Sequence, residues 1–418
     1  MSQPARILVA LILGISFGIL STHLASPQFA AGAIAVADPI GTLWLDALRM
    51  TIVPLVVSLL ITGIATGAEA ARAGRLTLRA VILFVAILWT SSILGTFLLP
   101  LFVTFWPLPS AGAEALREAM GGATAVGPVP PLAEFLGSIV PTNPVAAAAG
   151  DAILPLILFT TVFAFAITRI AKEPRERLTA FFSAIADAML VIIGWVLWIG
   201  PVGVFALAFA LGARSGAQSA TALFHYIIAV TSVGTVVFLA AYPLARFGGR
   251  VPLTRFARAI LPAQAVALST QSSLATLPAM LASTERLGIP VRSAGVVLPL
   301  AVAIFRATGP AMNVAVALYI AHWLGIHLGP SQIAAGVVTA AITTMGAVSL
   351  PGQVSFITSI APICIAMGLP VAPLGLLIAV EPIPDLMRTL GNVTMDIAAT
   401  TTVARSPKTS DRTSDPTA

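Results

Sequence analysis

Asp385, Arg388, Asn392 and Asp396 recur at intervals of three and four residues inside Glu381–Ala404, EPIPDLMRTLGNVTMDIAATTTVA. At roughly 100° of rotation per residue they fall within an arc of about 80° on one helix. Their chemistry is that of a grip on a small charged solute. A guanidinium fork presents paired donors to a carboxylate, a carboxylate one turn earlier can take an ammonium, and an amide both donates and accepts. Around the rest of the turn stand Leu386, Met387, Leu390, Val393, Ile397, Ala398 and Ala399, which suit lipid or neighbouring helices. A charged side chain at the bilayer centre costs at least ~2.5 kcal/mol on the mildest scale, so the stripe reads as a cavity wall on a substrate or ion pathway. The blander alternatives are a helix end lying in water and, for Asp385 and Arg388, an i,i+3 ion pair that only holds the helix.

The elements that must position this stripe are membrane helices. Of 418 residues 58% are hydrophobic and only 9% charged, and the mean hydropathy is +1.00, which places the chain among polytopic membrane proteins. Apolar stretches long enough to cross a bilayer run over 6–24, 40–67, 76–106, 144–170, 180–211, 220–245, 293–324 and 371–404. Arg6 leads into the first of them without a convincing cleavage site, so that span is expected to be retained. Two further apolar regions, 254–285 and 331–367, are interrupted by Ser269-Thr270-Gln271-Ser272-Ser273 with Pro278, and by Ser349-Leu350-Pro351-Gly352-Gln353. Irregular backbone at membrane depth is tolerated only where it is buried in protein or lines a cavity, so each reads as a re-entrant helical hairpin. The expected fold is therefore all-α: eight transmembrane helices plus two hairpins in an inverted-repeat core.

Basic residues cluster after the second, fourth and sixth spans (Arg72, Arg75, Arg79; Arg169, Lys172, Arg175, Arg177; Arg246, Arg250, Arg255, Arg258) and at Arg405, Lys408 and Arg412. By the positive-inside rule both termini are then cytoplasmic, the first hairpin enters from that side and the second from the other. The pI of about 10.4 follows from these loops and calls for no nucleic-acid partner; lipid is the expected surround. The expected units are scaffold spans 1–75, the third span and outer loop 76–130, the fourth to sixth spans 131–250, a transport core 251–404 and a disordered tail 405–418. The single cysteine, Cys364, excludes an intrachain disulfide and any cysteine-based metal cluster. Of the four histidines only His322 and His327 lie near each other, a weak pair, and no zinc motif or Ser/His/Asp grouping suggests an enzyme. No cofactor is expected.

Six fragments in order carry a resemblance: Arg49-Met50 with Pro54-Leu55-Val56; Pro141-Thr142-Asn143-Pro144 with Leu154-Pro155; Pro201-Val202-Gly203-Val204-Phe205-Ala206-Leu207; Ser272-Ser273-Leu274-Ala275-Thr276-Leu277-Pro278; Leu350-Pro351-Gly352; and Asp385-x-x-Arg388-Thr389-x-x-Asn392-Val393-Thr394-x-Asp396. The chain resembles the dicarboxylate/amino acid:cation symporter family, that of archaeal aspartate and animal glutamate transporters. The resemblance implies a homotrimeric secondary transporter of the cytoplasmic membrane, inner in a two-membrane cell. It implies a substrate site of Ser272, Ser273, Gly352, Asp385, Arg388, Thr389 and Asn392. Arg388 would grip a side-chain carboxylate, Asp385 the ammonium, and Asn392 with the Ser273 backbone the α-carboxylate; Thr394 could add a contact.

The same resemblance exposes a departure. Where the family carries Asn-Met-Asp-Gly-Thr in its seventh span, this chain has Phe305-Arg306-Ala307-Thr308-Gly309, without the Asn and Asp that ligate sodium; Met312-Asn313 comes two turns too late. Thr90 and Ser91 resemble partners of one sodium site and Asp396 with Asn392 of another, yet a hard cation needs several oxygens, one of them anionic. Thr90, Ser91, Arg306 and Asp396 are therefore candidates for coupling, with a proton or no ion favoured over sodium and no metal site assigned. The leading expectation is alternating-access transport of aspartate or glutamate. A proton-coupled C4-dicarboxylate carrier, in which Asp385 would burden a dianion, and a non-coupled anion conduit or binding receptor stand as alternatives.

Overall fold

The computed structural model describes residues 3–24, 27–72, 74–108, 137, 140–150, 152–216, 218–346 and 352–404, and among them every regular element is a helix. Among the described residues six helices are long and apolar enough to cross a membrane by length and composition. The chain opens with α1 (Gln3–Leu24), α2 (Pro27–Arg49), α3 (Ile52–Arg72) and α4 (Arg75–Phe105). It continues through α5 (Pro144–Ala149), α6 (Ile153–Ile167), α7 (Lys172–Trp198), α8 (Gly200–Ser215) and α9 (Gln218–Pro243), which ends in a π turn, Leu244–Gly248. The first hairpin is α10 (Leu253–Thr270) with α11 (Ser273–Arg286), followed by α12 (Val291–Ile304) and α13 (Thr308–Leu324). The second is α14 (Pro330–Gly346) with α15 (Gly352–Ala366), and α16 (Ala372–Leu377) and α17 (Pro382–Ala404) close the described chain.

Both hairpins fall where the polar interruptions put them. In the first, Gln271 takes the left-handed conformation (φ 51°) and Ser272 caps α11 by accepting from the Ala275 amide at 3.2 Å, the usual way to end one helix and start another. The second tip, Ser349-Leu350-Pro351, lies outside the described residues, as do most of the loop at 107–131 and the tail from 405.

The expectation of uninterrupted spans needs correction. The second begins at Pro27 and is interrupted at Met50-Thr51, where the Thr51 hydroxyl donates to the Leu48 carbonyl at 2.7 Å. The fourth divides at Gly150 and the fifth at Ile199, because Pro201 brings no amide to the helix behind it and pre-sets φ for the one it starts. The eighth is a short helix, a turn, and α17, whose start is set by Pro382 and Pro384.

The core lies around α13 and α17. In α13 every residue except His322 is buried, the pattern of a helix apolar on all sides and enclosed by protein. α17 is far more polar and yet buried along most of its length, packed by α9, α10, α11, α12 and α13. At Gly95 of α4 the backbone of α13 comes so close that a Cβ would stand 2.5 Å from the Ala311 carbonyl oxygen. A second close seam joins α1 to α8. Cβ atoms at Gly14 and Gly18 would stand 2.7 Å and 2.3 Å from the Phe205 and Phe209 carbonyl oxygens, and one at Gly212 2.4 Å from that of Ile15. Small residues four apart let membrane helices meet main chain to main chain.

Candidate functional site

The stripe on α17 is real as a surface, but it faces protein. Asp385 and Arg388 are each 7% exposed, Asn392 5% and Asp396 not at all. Arg388 is held on three sides. Its Nη2 donates to Glu381 Oε1 at 2.9 Å and its Nη1 to Asn313 Oδ1 at 2.7 Å, while Nε stands 3.6 Å from Asp385 Oδ1. The tightest carboxylate is thus Glu381, two turns back on the same face, rather than Asp385. Its second oxygen, Oε2, finds no hydrogen-bond partner among the described residues.

Asn392 ties α17 to the broken span. Its Oδ1 accepts from the Thr308 amide at 2.9 Å and from the Thr308 hydroxyl at 2.8 Å. The hydroxyl also lies 3.0 Å from the Arg388 carbonyl, which competes for its single proton. A side chain of α17 therefore satisfies the first amide of α13, one of the donors a helix start leaves open. Gly391 makes room for this, because a Cβ there would lie 2.4 Å from Thr308 Cγ2.

The break itself, Phe305-Arg306-Ala307, is pinned residue by residue. Phe305 is extended (φ −118°, ψ 103°) and stacks on Phe84 of α4, ring centroids 4.4 Å apart. The Ala307 carbonyl accepts from Ser91 at 2.5 Å. Arg306 is half-buried, donates from Nη1 to Ser355 Oγ of α15 at 3.0 Å, and lies within electrostatic reach of Asp385, Arg388 and Asp396. Neither oxygen of Asp396 has a hydrogen-bond partner among the described residues.

The other expected site residues are distributed unevenly. Ser272 and Ser273 are half-buried at the first hairpin turn, and Gln264 of α10 links that hairpin to α17 by donating to Thr394 Oγ1 at 3.1 Å. Thr389 is buried on α17, and Gly352 is the first residue of α15. Thr90 is not brought to the group: it is exposed and its hydroxyl donates back to the Ala86 carbonyl at 2.8 Å. Asn313 and Ser355 stand outside the expected set, and Glu381, expected only as a candidate proton carrier, stands outside the expected substrate site. Glu381 was discoverable as the same-face carboxylate at i−7 from Arg388. Asn313 is the sole amide side chain in α13, and Ser355 lies just past the second interruption.

A charged stripe buried beside a broken span and two hairpins defines a membrane carrier with its site inside the protein. The chain belongs to the sodium:dicarboxylate symporter family, which matches residues 4–406; it is a secondary transporter and not an enzyme. It is 29% identical to the proton/glutamate-aspartate symporter of Escherichia coli K12, covering 96% of this chain and 92% of that one. It is also 29% identical to human neutral amino acid transporter A over 85% and 73%. A C4-dicarboxylate transport protein of Deinococcus radiodurans is 26% identical over 98% and 90%.

Proposed function

We propose that this protein carries acidic amino acids, aspartate or glutamate, across the cytoplasmic membrane by alternating access, as a homotrimer with cytoplasmic termini, and without the sodium coupling its family name implies. The observation that carries the reading is the Asp385–Arg388 pair, opposite charges one turn apart in a buried site, suited to the ammonium and a carboxylate of one substrate. The named substrates of the Escherichia coli relative agree with it. The basic loops supply the orientation.

Against sodium stand the groups at the seventh-span break. Phe305 is committed to Phe84, Ala307 has no side-chain oxygen, and Asn392 Oδ1 is taken by Thr308. Arg306 supplies a fixed cation near Asp396, and a cation that cannot dissociate cannot be driven by a gradient. The site holds two guanidiniums, Arg306 and Arg388, and three carboxylates, Glu381, Asp385 and Asp396, so an acidic substrate adds to a negative excess that protons can relieve.

The test is uptake of labelled aspartate and succinate by purified protein in liposomes, together with calorimetric titration of aspartate with choline in place of sodium. Sodium-independent aspartate binding and uptake are expected. Affinity at least tenfold weaker without sodium, about 1.4 kcal/mol of coupling, removes the coupling proposal. Uptake of succinate but not aspartate removes the substrate assignment in favour of a C4-dicarboxylate carrier.

A further inference from the structure

The two guanidiniums of the site are in opposite conditions. Arg388 is 7% exposed and committed, with Glu381 at 2.9 Å, Asn313 at 2.7 Å and Asp385 at 3.6 Å. Arg306 is half-buried, and its one hydrogen bond among the described residues goes to the neutral hydroxyl of Ser355. No carboxylate lies within ion-pair distance of it among those residues. Its Nε and Nη2 make no hydrogen bond among the described residues. A guanidinium carries five donors in a fixed plane. This one spends a single donor among the described residues and holds the rest at the break of a membrane-embedded span, where an uncompensated charge is expensive.

We propose that Arg306 is a substrate receptor: its free edge takes one carboxylate of the substrate while Arg388 takes the other, so that the site selects molecules with two carboxylates. This rests on the acidic-substrate reading above and sharpens it. Arg306 stands two residues before Thr308, whose hydroxyl lies 3.0 Å from the Arg388 carbonyl, and Asp385 Oδ1 stands 3.6 Å from Arg388 Nε. One small molecule can therefore present two carboxylates to the pair and an ammonium to Asp385. The bond to Ser355 aims the fork and couples it to α15, so an anion seated on Arg306 also bears on the second hairpin.

The experiment is calorimetric titration of aspartate, succinate, asparagine and alanine into the full-length protein, wild type and three variants, each first required to be monodisperse. Wild type should bind aspartate at least a hundredfold more tightly than asparagine or alanine. Arg306→Gln should lose at least tenfold for both aspartate and succinate, each of which presents it a carboxylate. Arg306→Lys, which keeps the charge without the fork, should recover part of the loss. Ser355→Ala, which removes only the aiming contact, should lose less than Arg306→Gln.

Wild-type aspartate affinity in Arg306→Gln would overturn the proposal and leave the acidic-substrate reading standing. Equal losses in Ser355→Ala and Arg306→Gln would also overturn it, assigning Arg306 to holding the hairpin. Wild type binding neither aspartate nor succinate would remove both readings. Should Arg306→Gln fail to fold, Arg306→Lys and Ser355→Ala decide: a loss in Lys no larger than in Ala overturns the proposal, and a larger one sustains it.

Discussion

Arg388 cannot offer its whole fork to a substrate while Glu381 holds Nη2 at 2.9 Å, so substrate and Glu381 compete for one guanidinium. Glu381→Gln tests this by keeping the shape and an acceptor oxygen while removing the charge. A hydrogen bond to a charged partner contributes about 1.5–3 kcal/mol and a neutral one about 0.5–1.5. The exchange therefore leaves Arg388 roughly 1–1.5 kcal/mol more available to an incoming carboxylate. Both groups are already out of water (side-chain exposures of 9% and 1%), so no new desolvation of the arginine offsets the gain. At 1.4 kcal/mol per decade, aspartate should bind about tenfold more tightly.

A proton on Glu381 has the same effect as the amide, which fixes the sign of the pH dependence. Wild-type affinity should fall as pH rises and the carboxylate reclaims the arginine, whereas the variant, left with Asp385 and Asp396, should show a shallower slope. The assay is calorimetric titration of aspartate from mildly acidic to mildly alkaline buffer. Unchanged or weaker affinity in Glu381→Gln, with the wild-type slope intact, would refute the competition and make Glu381 a purely structural partner.

Three further outcomes are expected. Arg388→Ala should leave Glu381 and Asp385 buried without their main cation, costing about 3–5 kcal/mol of stability and abolishing aspartate uptake while neutral amino acids gain entry; thermal unfolding and competitive uptake measure both, and wild-type aspartate affinity would contradict it. Gly391→Ala should push Thr308 away from Asn392, since its Cβ would stand 2.4 Å from Thr308 Cγ2, at about 1–3 kcal/mol. Gly295→Ala, with nothing within 4 Å, should be neutral or slightly stabilising, and equal melting temperatures for the two would contradict the packing argument. A cysteine pair joining α15 to α17, which pack against each other, introduced in a Cys364→Ala background, should block aspartate binding from the side on which the second hairpin enters; unimpaired binding by the cross-linked protein would show that α15 need not part from α17 to admit substrate.

The two hairpins were legible because breakers in an otherwise apolar run have few places to go in a membrane. The α17 stripe was legible because helical spacing alone puts Asp385, Arg388, Asn392 and Asp396 on one face. What those residues bond to was not. The Arg388–Asn313 contact crosses between helices 75 residues apart in sequence, and no periodicity reports on such a pair. Glu381 had the right spacing, but its bond to Arg388 depends on how Pro382 and Pro384 start α17, which spacing alone does not report. The interruption at Ile199 was hidden because hydropathy continues smoothly through it, and that at Met50-Thr51 because apolar residues resume on either side of Asp46 and Arg49. At the seventh span, Phe305 in place of a polar residue takes its meaning from Phe84, more than two hundred positions earlier, on which it stacks.

The seam between α1 and α8 has a mechanical consequence. Interfaces made of side chains have slack, since rotamers change and the surfaces slide, and packed helices shear in that way. Where Gly14 and Gly18 lie under the carbonyls of Phe205 and Phe209, and Gly212 under that of Ile15, there is no side chain to yield. A carrier that swings its cargo through a bilayer must push against something, and this seam gives the chain a fulcrum. Spin labels on α1 and α8 should keep one distance throughout the cycle, while labels on α8 and α17 should report the stroke.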